Sequence, residues 1–176
     1  MRHALEIFRK TTPKLRKPVA EDGAEIWNLV RACKPLDENS MYCNLIQCAH
    51  FRDTCVVAEL DGHVVGWASA YVLPDDPETL FVWQVAVSEA ARGTGLGSLM
   101  LTDLLQRPAS AEVRRLQTTI TADNEASWAL FRKFARRMGA PLGSAPHFKK
   151  DEHFDGAHAT EYMVTIRMVE PLRKAA

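Results

Sequence analysis

The chain carries no charge of one sign in excess. Lys plus Arg and Asp plus Glu both total 22 across 176 residues. That balance gives no general attraction to nucleic acid or to an anionic membrane, so any anion must be held by a local site. No run of about 18 apolar residues occurs, so no membrane-spanning helix is expected. The opening stretch, MRHALEIFRKTTPKLRK, lacks a sustained apolar core and a small-residue cleavage site, and makes a poor secretory signal. Cysteine is scarce as well. Cys33, Cys43, Cys48 and Cys55 have spacings that match no common zinc pattern. They read as reduced thiols in or near the core of a cytoplasmic protein. No metal site, basic-aromatic stripe, internal repeat, low-complexity tract or long linker is found.

What is present is enough apolar material, 47% of residues, to bury a core. The length fits one domain, placed at residues 15–170, with a flexible basic leader at 1–14 and a short tail at 171–176. Residues 15–20 are a candidate first strand. In AEIWNLVRAC, Ile26, Leu29, Val30 and Cys33 share a helical face, which Lys34-Pro35 ends. Asp37 or Asn39 can cap a second helix, SMYCNLIQCAHF. Thr54–Leu60 reads as a strand, and Asp61-Gly62 is a hairpin turn leading into HVVGWASAYVL. A turn at residues 74–77 precedes a third strand at Thr79–Val87.

A glycine loop then opens a helix from about Leu96 to Gln106. RRLQTTITA is a strand, and Asn124 can cap the helix EASWALFRKFARRM, which Gly139 ends. A polar loop follows to about residue 159, and ATEYMVTIRMV closes the chain. The order β-α-α-β-β-β-α-β-α-β predicts an α/β (α+β) fold, a single mixed sheet, mostly antiparallel, covered by helices on both faces.

The loop Arg92-Gly93-Thr94-Gly95-Leu96-Gly97 lies between strand and helix. Glycines there let the backbone turn sharply and let a ligand approach, or they serve an ordinary tight turn. Free N–H groups at a helix start carry about half a positive charge, which suits phosphate, and Arg92 adds a fixed cation. The P-loop ending GK[ST] is missing. Also missing are GxGxxG spacing and an acidic residue closing the next strand, which a dinucleotide site would want.

The six residues fit the [QR]-x-x-G-x-[GA] pattern and follow Val85-Ala86-Val87. Downstream, Asn124-x-x-Ser127 and Leu130-Phe131-Arg132-Lys133 complete a second segment. On these stretches the chain resembles the GNAT acetyltransferases. Further stretches at Pro35–Tyr42, His50–Ala58, Phe81–Val87 and Thr118–Trp128 resemble the diaminobutyrate acetyltransferases of ectoine synthesis. The likeness covers roughly residues 15–170.

The resemblance implies acetyl transfer from acetyl-CoA to the 4-amine of L-2,4-diaminobutyrate, by direct attack in a ternary complex, within a compatible-solute pathway used under osmotic stress. It implies cofactor contacts at Val85, Ala86, Val87, Arg92, Gly93, Thr94, Gly95, Leu96, Gly97, Ser98, Asn124, Ser127 and Phe131. It implies an oxyanion donor in the backbone at Val85. Where many relatives carry a tyrosine able to protonate the leaving thiolate, this chain has Phe131, which has no proton to give.

For the acceptor, Asp37 is a candidate carboxylate for an ammonium, as well as a helix cap. Tyr42 can bond the substrate or pack. Trp83, two residues before Val85, is expected to share a sheet face with it, as pocket wall or as core. Glu161 is the candidate base and His158 a helper through its near-neutral pKa. Arg52 and Thr119 are the candidates for the substrate carboxylate. A homodimer is expected by analogy and by base rate. The alternatives are a GNAT enzyme for another small amine, and a degenerate module that binds coenzyme A without turnover.

Overall fold

The computed structural model describes residues 12–168. Seven strands form one sheet in the order β1-β2-β3-β4-β5-β7-β6. They are β1 (Lys14–Arg16), β2 (Val56–Leu60), β3 (His63–Leu73), β4 (Asp76–Val87), β5 (Arg115–Thr121), β6 (Leu142–Phe148) and β7 (Glu161–Arg167). Helices α1 (Gly23–Ala32) and α2 (Met41–His50) precede β2, α3 (Leu96–Leu105) links β4 to β5, and α4 (Glu125–Arg137) and the short α5 (Lys150–His153) flank β6. All pairings are antiparallel except β4 with β5. Among the described residues no helix is long and apolar enough to cross a membrane.

Local chemistry accounts for most junctions. Asp61 and Gly62 both take positive φ, 51° and 81°, as a two-residue β2–β3 turn requires. Asn124 caps α4, its side chain accepting from the Ser127 N–H at 3.1 Å. The cap of α2 is Ser40, whose hydroxyl accepts from the Cys43 N–H, and neither Asp37 nor Asn39 fills that place. The first strand stops at Arg16, short of the expected 15–20. Arg16 bonds Asp22 through two nitrogens at 2.7 Å and Glu59 at 2.7 Å, which turns the chain toward α1. Lys14 already belongs to the sheet, so the expected leader ends before residue 14. The rest of that leader up to residue 11, and the tail at 171–176, lie outside the described residues.

The largest difference from the sequence-based expectation is β6. A loop is expected at residues 142–148, but they pair along β7 from Leu142↔Ile166 to Phe148↔Glu161. Gly143 and Pro146 lower strand propensity, and the strand is exposed along nearly all its length at the sheet edge. No apolar alternation marks it, because there is little to bury.

Two cores lie on opposite faces of the sheet. One joins Leu101, Leu104, Phe131 and Phe134 of α3 and α4 to Leu80, Val82, Leu116 and Ile166. The other joins Ile26, Val30 and Cys48 of α1 and α2 to Val57, Trp67 and Ala86, with Cys33 and Cys55 inside it. Burial pushes the Cys48 and Cys55 thiols up to about 12, so both stay protonated and inert.

Two irregularities in β4 shape the cleft beside it. Its parallel pairing with β5 is confined to Thr79↔Arg115, Leu80↔Leu116 and Phe81↔Gln117. Beyond Phe81 the strands splay, and backbone groups on that edge of Val82–Val87 lose their ladder partner. On the other side, Ser69 pairs with Gln84 and Ala70 with Val82, so Trp83 is an extra residue, a β-bulge.

Candidate active site

The splay opens a cleft with two connected chambers. The first, about 390 Å³, runs along the glycine loop and α4. It is lined by Val85, Val87, Arg92, Gly93, Gly95, Leu96, Gly97 and Ser98 from the strand, loop and α3, and by Asn124, Ser127, Leu130 and Lys133 near or on α4, with Lys34 beside them. Gly93 and Gly95 have φ of 78° and 89°, and a Cβ on either would meet no atom within 4 Å. They are glycine because the loop needs left-handed backbone, and space is not limiting. Gly97 differs. A Cβ there would come to 3.0 Å from Leu130 Cδ1, so this glycine lets α3 pack on α4.

The first main-chain bond of α3 runs from the Leu99 N–H to the Gly95 carbonyl. The N–H groups of Leu96, Gly97 and Ser98 therefore have no acceptor within the helix. Unclaimed amides, three flanking cations and an open concave loop fit a diphosphate.

Two sequence candidates brace the loop. Thr94 donates to the Ala91 carbonyl at 2.7 Å and does not line the chamber, and the Arg92 Nε holds the Val87 carbonyl at 3.2 Å. The Ala86 side chain turns into the α1–α2 core, and Ala86 lines neither chamber. Phe131, 3% exposed, lines the second chamber rather than the first.

The second chamber, about 290 Å³, is walled by Trp83, Gln84 and Val85, by Thr118–Thr121 of β5, and by Asp37, Asp123, Phe131, His158 and Glu161. The expectation that Trp83 and Val85 share a face is corrected by the bulge. Val85 packs toward the α3–α4 core, whereas the Trp83 ring lies 6.5 Å from Tyr71 on the other face. Both still border the chamber, because it sits where the strand edge is free. Tyr42 is set apart: on α2 it is 71% exposed and lines no part of the chamber. Arg52 is likewise exposed and outside it, while Thr119 is on the wall.

Asp37 comes from a distant part of the chain to join His158 and Glu161, with one donor atom of each within 4.8 Å of the others. The His158 Nδ1 lies 2.8 Å from the Ala159 carbonyl. A carbonyl only accepts, so Nδ1 carries the hydrogen. The Nε2 faces Asp37 Oδ2 at 3.4 Å and Glu161 Oε1 at 3.9 Å. The Ala159 carbonyl, then the two carboxylates, raise the His158 pKa above its ordinary value. Glu161 opens β7, its side chain 15% exposed and its Oε2 buried with no hydrogen-bond partner among the described residues. Burial pushes its pKa above the usual carboxylate range. Asp37 and Asp123 add to this, against the opposing pull of His158 and the Thr119 hydroxyl. The cluster suits a cation, a metal ion or an ammonium, and a carboxylate with a raised pKa there suits proton transfer.

Sequence reasoning missed Gln84, which is buried. Its Nε2 donates to the Asp37 carbonyl at 2.9 Å, and its Oε1 accepts from Asn39 Nδ2 at 3.3 Å. The Trp27 Nε1 donates to the Asn39 carbonyl at 3.0 Å. Together they fasten the segment carrying Asp37 over the chamber. The available signal was a glutamine inside an otherwise apolar strand, FVWQVAV. Glu38 is a solvated neighbour paired with Lys34 and Arg31.

The sequence model of the acetyltransferase (GNAT) family matches residues 23–135. The chain belongs to the GNAT acetyltransferase family. Among GNAT proteins, the L-2,4-diaminobutyric acid acetyltransferase of Methylotuvimicrobium alcaliphilum is 49% identical over 152 residues, covering 86% of this chain and 88% of the relative. That of Chromohalobacter salexigens is 48% identical over 163 residues, covering 92% and 84%. A solved structure of diaminobutyrate acetyltransferase EctA from Paenibacillus lautus, in complex with L-2,4-diaminobutyric acid and coenzyme A, superposes with a TM-score of 0.85. It is 37% identical, and the match covers 94% of this chain and 99% of that one. The GNAT assignment agrees with the mixed sheet, the splay and the glycine loop.

Proposed function

We propose that this protein transfers the acetyl group of acetyl-CoA to the 4-amine of L-2,4-diaminobutyrate, giving N4-acetyl-L-2,4-diaminobutyrate for ectoine synthesis. The observation that carries this reading is the acidic acceptor chamber meeting the glycine-loop chamber at the β4–β5 splay. The curated relatives named for this reaction, at 48–49% identity, support it. So does the EctA complex.

In this reading the amides of Leu96, Gly97 and Ser98 hold the diphosphate, and Arg92, Lys34 and Lys133 supplement them. The free edge of Val85–Val87 takes the pantetheine arm as an added strand, and a Val85-region N–H faces the developing oxyanion, a contact worth about 3 kcal/mol. Asp37 and the wall at Trp83 hold the diamine. Glu161, ionised, takes the proton from the attacking nitrogen, and His158 holds Glu161 and Asp37 in place. Fixing both reactants in line can supply up to about 7–11 kcal/mol of the barrier reduction. Residues 15–170 are proposed as the catalytic unit, working as a cytoplasmic homodimer. The free buried thiols and the exposed Met41, Phe51 and Trp83 accord with that. Sedimentation velocity reads the dimer directly.

The deciding experiment incubates pure protein with acetyl-CoA and L-2,4-diaminobutyrate and identifies the acetylated nitrogen by NMR. Acetyl on N4, with polyamines and aminoglycosides turned over far more slowly, is the expected result. Faster turnover of another amine, or coenzyme A binding without any turnover, would overturn it.

A further inference from the structure

The two chambers share five wall residues: Pro35, Leu36, Val85, Asn124 and Ser127. The thioester must sit where donor and acceptor spaces meet, so these five surround the bond that breaks. Three of them have apolar side chains. Asn124 commits its side-chain oxygen to capping α4. Ser127 is the one hydroxyl in the set, and it makes no side-chain hydrogen bond to the described residues. It lies one helical turn before Phe131 on the same face of α4, and both reach the acceptor chamber. Phe131 has no proton to offer the departing sulfur.

We propose that the Ser127 hydroxyl receives the leaving thiolate of coenzyme A, donating a hydrogen bond to the sulfur as the carbon–sulfur bond breaks. This rests on the acetyl-transfer reading above. The amine nitrogen forms its bond to the acetyl carbon, and its proton passes to Glu161. The carbon–sulfur electron pair stays on sulfur, which leaves as thiolate against Ser127 and takes a proton from water after departure. No acid of the chain is consumed. A serine hydroxyl is too weak an acid to give up its proton, but a hydrogen bond to an anion is among the stronger ones.

The test has two readouts. The first is the pKa of the coenzyme A thiol in its binary complex, followed by ultraviolet thiolate absorbance. The second is the single-turnover acetylation rate. Ser127→Ala is expected to raise the bound thiol pKa by about one unit, which is about 1.4 kcal/mol, and to slow acetylation about tenfold. The KM for each substrate should stay within twofold. Ser127→Thr should restore both readouts, and Phe131→Tyr added to Ser127→Ala should restore the rate. An unchanged thiol pKa in Ser127→Ala overturns the proposal. So does a loss confined to the KM of acetyl-CoA, which would make Ser127 a binding contact only. Absence of turnover by the wild type defeats the functional reading instead, and the thiol titration still reads Ser127.

Discussion

Glu161 is useful because its surroundings make ionisation costly. Its raised pKa follows first from burial, while the nearby His158 works in the opposite direction. His158 itself is raised, first by the Ala159 carbonyl and then by Asp37 and Glu161. The rate should therefore fall as the pH drops through an apparent value above the ordinary carboxylate range. Replacing His158 with Gln removes the positive charge that eases ionisation of Glu161. The acid limb of kcat/KM should then move to higher pH. A pH–rate profile of the variant checks this, and movement to lower pH would remove His158 from the assigned role. Glu161→Gln should abolish the limb along with most of the activity.

Two short elements set the geometry around those residues. The glycine loop needs left-handed backbone at Gly95, with φ of 89°. Gly95→Ala should cost about 1–2 kcal/mol of stability from that conformation alone. It should also raise the KM for acetyl-CoA more than that for the diamine, which thermal melts and steady-state kinetics together resolve. The second element is the bulge at Trp83. It turns Gln84 toward the segment that bears Asp37, and the Gln84 amide pins that segment. Gln84→Ala leaves the Asp37 carbonyl and the Asn39 amide without this partner, at about 1 kcal/mol for each part-buried bond lost. The KM for the diamine should rise about tenfold and that for acetyl-CoA much less. Equal effects on both would place Gln84 in general packing.

The whole molecule is a sheet that is closed at one end and open at the other. Two apolar cores clamp its faces, and the open end holds the chemistry. Neutral net charge leaves binding to local groups, so the fold depends more on burial and a few partly buried ion pairs than on overall electrostatics. The Arg16–Asp22 pair, which bends the chain from β1 into α1, is one of these. Burial alone would raise the Asp22 pKa, but Arg16 and the Val19 N–H outweigh it and hold it below the ordinary value. A depressed carboxylate stabilises the fold above its ordinary pKa, and that contribution is lost as the pH falls through the folded value. Asp22→Asn should lower stability by about 1.5 kcal/mol at neutral pH, because Arg16 keeps Glu59 as a partner. The difference from wild type should shrink at acid pH, as denaturant melts at several pH values would show.

The sequence by itself determined the parts governed by neighbours in the chain. The Asp61-Gly62 turn, the Asn124 cap, the amphipathic α4 and the glycine loop all follow from backbone sterics and short-range hydrogen bonds. So did the meander and the helices on both faces, because apolar periodicity has to match the layer it packs against. Tertiary structure alone decided the rest. β6 exists because β7 offers it an edge, and its exposure leaves no pattern to read. The bulge at Trp83 reverses the faces of the β4 residues that follow it, a shift that alternation cannot forecast. Tyr42 ends up in solvent, whereas Gln84 is drawn inward. Asp37, His158 and Glu161, and the place of Ser127 on both chamber walls, arise from pairings among residues far apart in sequence, which no local physical rule can encode.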